Sequence, residues 1–256
     1  MRKRGALVFA LALAFALALA WAATYLDGYS VARFVNRVFA SEKSACFFDT
    51  SNREWCKMMR DAHDDIRREF LAYQEQVGAR EIPVFGAVAP EQEELSNNEL
   101  AKWRVAILRM FDRDTSLCAH FPVTMRVLSA VPHCSLAMFS ILEPGKTIAP
   151  HEGVYKGVLR YHLGLITPKH ENHGDCKLVI SGQAYSWQPG KDVLFDDTYE
   201  HWVQNATDET RVVLFLNVKR DFESAWLNAL NWVVLKLSRY SWTTKDIVRR
   251  VDEVGA

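Results

Sequence analysis

Net charge is absent from this chain. Across 256 residues, 31 lysines and arginines balance 31 aspartates and glutamates, and no basic block follows the first four positions. A nucleic-acid-binding protein needs a basic patch or stripe to meet phosphates, so no nucleic-acid partner is expected. Cysteine is sparse. Cys46, Cys56, Cys118, Cys134 and Cys176 are odd in number and show no CxxC spacing. Such a set argues against a disulfide framework and against a cysteine-held zinc. No internal repeat is found. With 49% hydrophobic residues the composition is that of a globular chain, long enough for one substantial core and a helical annex.

What is present begins with a charge-free run. After "MRKR", positions Gly5 to Leu26 carry no charge, and roughly 20 apolar residues cross a bilayer. The run is long for the apolar part of a signal peptide, so the expectation is an uncleaved anchor, a single-pass membrane protein. Cleavage after the small residues of "ALAWAA" is the competing reading. Arg2, Lys3 and Arg4 precede the span, and Arg33, Arg37 and Lys43 follow it, so charge leaves the face of the membrane undecided.

Four regions are expected: the anchor over 1–26, a helical annex and linker over 27–132, a β core over 133–221 and a helical segment over 222–256. Trp55, Met59, Ala62, Ile66, Phe70 and Tyr73 form a helical stripe, and a second helical pattern is expected around Trp103 to Phe111. Past Pro132 come short strands separated by turns: "SLAMFSIL", "VLRYHLGLI", "CKLVIS", "DVLFD" and "RVVLFLNV", with "EPG", "NHGD" and "QPG" between them. Many short strands with polar turns predict a sandwich or barrel. The stretch from Asp196 to Val218 has the form of a hairpin. The terminal "FESAWLNALNWVVLKLS" is amphipathic, to be packed on the barrel or laid at a membrane interface.

Side chains alternate along strands, so Arg160, His162 and Gly164 share one face, and Arg211, Val213, Phe215 and Asn217 share another. An arginine on an otherwise apolar face is costly unless an anion meets it, which points to a carboxylate pocket; an arginine turned to solvent at the strand mouth is the plainer alternative. His151 and His201, fifty residues apart and each at a strand edge, fit a metal site assembled by the fold. Any single histidine is also explained as a hydrogen-bonded core residue or an exposed one. His170 and His173, with Cys176, imitate a zinc spacing but sit in a polar stretch expected to be surface loop.

"HEG…LRYHLGL…SWQPGKDVLFDDTYEH…TRVVLFLNV" resembles the aspartyl/asparaginyl β-hydroxylase family of iron(II)- and 2-oxoglutarate-dependent dioxygenases, strongly over Ala137 to Arg220. Within it "RYHLGL", "G-Q-x-YSW" and "NxTxxxR" are most similar to the lipid A 2-hydroxylases, which are membrane-anchored. The resemblance implies a mainly β, double-stranded β-helix (jelly-roll, cupin-like) core with flanking helices. It implies His151 and His201 as Fe2+ ligands and Arg211, aided by Ser140, as the clasp for the distal carboxylate of 2-oxoglutarate. Arg160 and His162 would contact that cosubstrate, and Asp197 would order water beside the metal. With O2 as the other cosubstrate, the implied reaction hydroxylates an unactivated C–H bond. A lipid acyl chain is the expected substrate, a protein Asp or Asn side chain the alternative, and a non-catalytic binding barrel the second alternative.

Two positions depart from a single pattern. Gly153 stands where the lipid hydroxylases carry an acid and the protein hydroxylases a glycine. Val158 stands where the protein hydroxylases present an arginine to their substrate. Glu152 is expected to point away from the metal.

Overall fold

Strand-forming sequence dominates the second half of the chain, and the computed structural model describes residues 28–42, 44–90, 101–169, 174–238, 249–251 and 253. The charge-free run, His170 and His173 lie outside them. Among the described residues the strands are β1 (Phe47–Phe48), β2 (Trp103–Met110), β3 (Arg113–Asp114), β4 (Cys134–Leu142), β5 (Thr147–His151), β6 (Val158–Ile166), β7 (Cys176–Ile180), β8 (Gln183–Ser186), β9 (Asp192–Phe195), β10 (His201–Asn205) and β11 (Arg211–Lys219). They form two antiparallel sheets, ordered β1-β9-β6-β11-β4-β2-β3 and β5-β10-β7-β8. From β4 to β11 the chain passes repeatedly between the sheets, the strand order of a double-stranded β-helix jelly roll.

Alternation decides which side chains face inward. Val105, Ile107, Met138, Leu142, Val193, Phe195, Val213 and Phe215 of the large sheet meet Ile148, Cys176, Leu178, Ile180 and Val203 of the small one. The other face of the large sheet, with Ala106, Phe139, Tyr161, Leu163, Leu214 and Leu216, is covered by helices. Those helices are α2 (Glu54–Asp61), α3 (His63–Val77) and α5 (Pro122–Leu128); α1 (Gly28–Phe39), α4 (Phe85–Val88) and α6 (Ala225–Ser238) complete the set described. Glu69 of α3 accepts hydrogen bonds from the Val123 and Thr124 N–H groups and the Thr124 hydroxyl, capping α5 with a side chain from its neighbour.

Three sequence expectations change. The segment Trp103 to Phe111 is not a helix: Trp103–Met110 is strand β2, paired with β4, and Phe111 begins the turn after it. Both faces of β2 are buried, so apolar residues occupy nearly every position and the period of two is lost. The stripe from Trp55 to Tyr73 is two helices, α2 and α3, parted at Ala62 (φ −90°, ψ 5°). Last, β10 and β11 are consecutive but not a hairpin: β10 pairs with β5 and β7, β11 with β4 and β6. Side chains replace the missing ladder in the turn between them. Asn205 Nδ2 donates to the carbonyls of Leu142, Glu143 and Glu209, while the Thr207 hydroxyl donates to Asn205 Oδ1 at 2.6 Å. That turn aims Arg211 into the barrel.

Candidate active site

His151 ends β5 and His201 opens β10, and the two are direct cross-strand partners, with a register shift just beyond, where β5 carries one residue more than β10. Opposed positions put Cβ atoms on one face roughly 5 Å apart. The rings follow, their centroids 4.2 Å apart. His151 Nδ1 lies 2.8 Å from the Ala149 carbonyl and His201 Nδ1 2.9 Å from the Tyr199 carbonyl. A carbonyl only accepts, so each Nδ1 carries the hydrogen and each Nε2 keeps its lone pair, the arrangement a metal requires of imidazole. Burial and the nearby Arg160 guanidinium push both imidazoles toward the neutral form, His201 down to about 3 with further help from His151.

Asp197 stands beside them. Its Oδ2 accepts from Arg160 Nε at 2.6 Å, and its carbonyl accepts the Gly153 N–H at 2.7 Å. Its Oδ1 is buried without a hydrogen-bond partner. A Cβ on Gly153 would fall 2.0 Å from Asp197 Oδ2, so this carboxylate fills the space that a side chain at 153 would need. Glu152 is exposed and does not join the histidines.

The interior of the large sheet supplies the rest. Ser140, His162 and Arg211 point inward from β4, β6 and β11: Ser140 pairs with Val213, His162 with Phe215, and Arg211 with Leu142. Arg211 is 2% exposed, and among the described residues no acidic side chain pairs with it. Its guanidinium lies 4.5 Å from the Trp187 ring centroid, and its Nε has no partner. Burial alone lowers its pKa to about 10. His162, packed among Trp187, Phe195 and Phe215, has neither ring nitrogen bonded, and burial followed by Arg211 and Arg160 holds it neutral. The Ser140 hydroxyl accepts from Trp103 Nε1 at 2.9 Å, which leaves its own hydrogen to donate.

All seven expected site residues therefore line one interior or its rim, in two groups: His151, His201, Asp197 and Arg160, then Ser140, His162 and Arg211. Sequence reasoning missed Trp187, whose Nε1 is also buried and unbonded. The turn that carries it crosses β6 at Gly164, where a Cβ would lie 2.3 Å from the Gln188 carbonyl. Gly164 leaves room for that turn, but nothing in the sequence next to Trp187 marks the contact. Cys176 opens β7, as expected of "CKLVIS", and is buried.

Asp196, next to Asp197, has a structural task. Fully buried, it meets Arg220 at 2.5 Å and Lys156 at 3.3 Å and accepts from the Thr198 and Ser44 hydroxyls. Burial would raise its pKa, but Thr198, Arg220 and Lys156 together hold it below the ordinary aspartate value. The folded pKa is depressed, so this stability is present at neutral pH and is lost as pH falls below ~4. Asp196→Ala leaves Arg220 unpaired in the interior and should cost about 3–5 kcal/mol in urea unfolding at pH 7. Asp196→Asn should flatten the acid limb of stability against pH, and an unchanged limb would refute the assignment.

A mainly β, antiparallel jelly roll with a histidine pair, a carboxylate and a buried arginine defines the class. Residues 60–221 match the family model described as aspartyl/asparaginyl β-hydroxylase, and the chain belongs to that hydroxylase family. An ornithine lipid ester-linked acyl 2-hydroxylase of Rhizobium tropici is 32% identical over 84% of this chain and 74% of its own length. The human aspartyl/asparaginyl β-hydroxylase is 30% identical over 52% of this chain, which spans only 18% of that enzyme. A Pseudomonas putida prolyl-4-hydroxylase structure covers 65% of this chain and all of its own, with TM-score 0.42 and 13% identity.

Proposed function

We propose that this chain is a membrane-anchored iron(II)- and 2-oxoglutarate-dependent hydroxylase of lipid acyl chains. Arg211 carries the reading: a buried guanidinium over the Trp187 ring, near unbonded donors and without an acidic partner among the described residues, fits a carboxylate brought from outside. The donor set fits the metal as well, since His151 and His201 each leave Nε2 available on one face. His151 and His201 would hold the iron; Arg211 and Ser140 would bind the distal carboxylate of 2-oxoglutarate, with His162 and Trp187 as further donors. The iron, with 2-oxoglutarate and O2, supplies the oxidation.

The chain's own residues then position and exclude. Arg160 fixes Asp197, and Asp197 Oδ1 accepts from water ordered beside the histidines. Phe195, Phe215 and Trp187 keep the interior dry, which sharpens each polar contact. Lipid is favoured over peptide because the acyl 2-hydroxylase relative matches most of both chains, and because Val158 offers no cation to a peptide carboxylate. The Gly5–Leu26 run would hold the enzyme at its substrate. Peptide Asp/Asn hydroxylation is the second reading, favoured by Gly153. Lipid extracts from cells with and without the gene should differ by one oxygen on an acyl chain. An unchanged lipid profile, with a purified enzyme that hydroxylates an Asp or Asn peptide, would replace this reading with the second.

The Gly153 contact gives a further expectation. Gly153→Ala drives its methyl onto the Asp197 carboxylate and breaks the Arg160 contact, whereas no vacancy awaits a new ligand in Gly153→Asp. Both variants should lose 2-oxoglutarate turnover, by roughly 10- to 100-fold, in a succinate-release assay. A Gly153→Asp enzyme with tighter iron binding and intact turnover would show that position 153 is open.

A further inference from the structure

Helix α6 has two faces that are both apolar. Leu227, Leu230 and Val234 pack against Val35 and Phe39 of α1 and against Phe222. The opposite side carries Trp226 and Trp232, 59% and 51% exposed. Trp226, Ala229, Trp232, Val233 and Lys236 lie within about a third of the helix circumference. Lys236 is the only charged residue of the fourteen, and its ammonium is turned to Asp112 at 3.6 Å. On α1, Phe34 is 53% exposed. A surface helix without a polar face is unstable in water unless something covers it.

The same helix pair grips the chain that leaves the site. Asn36 of α1 donates to the Val154 carbonyl and accepts the Lys156 N–H. Asn231 of α6 accepts from the Tyr155 hydroxyl at 2.7 Å and donates to the Gly157 carbonyl at 2.8 Å. Val154 is itself 46% exposed and lies three residues after His151, on the order of 10 Å of chain. The exposed aromatic side chains and the histidine pair are thus joined through one short, hydrogen-bonded segment.

We infer that the outer face of α6 is a bilayer-docking surface, with Trp226 and Trp232 seated at the boundary of headgroups and acyl chains. The occupant follows from where the chain leads. The charge-free run ends at Leu26, two residues before Gly28 opens α1, so the sequence that leads into this helix pair is apolar. Tryptophan, with an apolar ring body and one polar N–H, favours that boundary. The inference rests on the lipid-substrate reading only for its purpose, which is to hold the segment after His151 against the membrane.

The test uses the full chain in phosphatidylethanolamine–phosphatidylglycerol vesicles, with photoreactive benzoylphenylalanine at position 226, 232 or, as a control on α2, 58. Lipid adducts are expected at 226 and 232 and not at 58, although Met58 is also exposed. No lipid adduct at 226 and 232, equal adducts at 58, or adducts only to a second copy or another protein would overturn the docking surface. Trp226→Glu/Trp232→Glu should hydroxylate vesicle lipid roughly tenfold or more slowly than wild type while keeping its rate on detergent-dispersed lipid; an unchanged vesicle rate would also overturn it. Lipid adducts from a wild-type protein that oxygenates no lipid would uphold the surface and discard the acyl-hydroxylase reading.

Discussion

Arg211→Met should abolish tight binding of 2-oxoglutarate and leave the protein without cosubstrate as stable as wild type, or more stable. The two halves of that result come from one fact: the guanidinium is buried with no acidic partner among the described residues, and burial alone depresses its pKa to about 10. A cation held in an apolar interior is a cost to folding, and methionine of similar length removes it. On the proposed function, bound 2-oxoglutarate would make the same cation half of a desolvated, hydrogen-bonded pair. Losing one member of such a pair costs about 2–5 kcal/mol, a factor of roughly 30 to several thousand in affinity. Calorimetry and thermal unfolding, each with and without 2-oxoglutarate, check both halves. A variant that binds 2-oxoglutarate normally, or that unfolds markedly earlier without it, would make Arg211 a structural residue.

The second large effect is at the histidine pair. His151→Ala and His201→Ala should each remove bound iron and reduce 2-oxoglutarate turnover by more than ~100-fold, since loss of a ligand exceeds the 10- to 100-fold typical of losing a partner behind one. Both should keep their far-ultraviolet dichroism and a cooperative unfolding transition. Neither ring bonds another side chain: each Nδ1 donates to a backbone carbonyl two residues earlier in the chain. Glu152→Ala, by contrast, should retain iron, because that side chain is exposed. Iron measured by plasma emission separates the three variants, and iron loss from Glu152→Ala equal to that from His151→Ala would mark it as a ligand.

Much of this was legible in residue order, and the exceptions have physical causes. The β6 and β11 segments were legible because their inward polar groups interrupt an apolar frame at every second position, as Arg160 and His162 do. Strand β2 was not, because Ala106 and Leu108 face helices while Val105 and Ile107 face the barrel, so no polar position marks a solvent side. The Asp196–Val218 segment misled because strand, turn and strand in succession suggest local pairing, whereas the turn bonds of Asn205 let the chain change sheets. Within the site, residue types and alternation pointed to the histidines and Arg211. Trp187 and the filling of Gly153's space by Asp197 depend on contacts between segments distant in sequence, which no local pattern encodes.

The most direct measurement is a balance of products. Full-length protein in vesicles, supplied with iron(II), 2-oxoglutarate and 18O2, should form succinate and an acyl chain bearing one 18O atom in nearly equal amounts, with both products absent from His201→Ala. Succinate formed without labelled lipid, alongside a labelled Asp or Asn in an added peptide, would contradict the lipid assignment; labelled lipid formed independently of 2-oxoglutarate would contradict the chemistry itself.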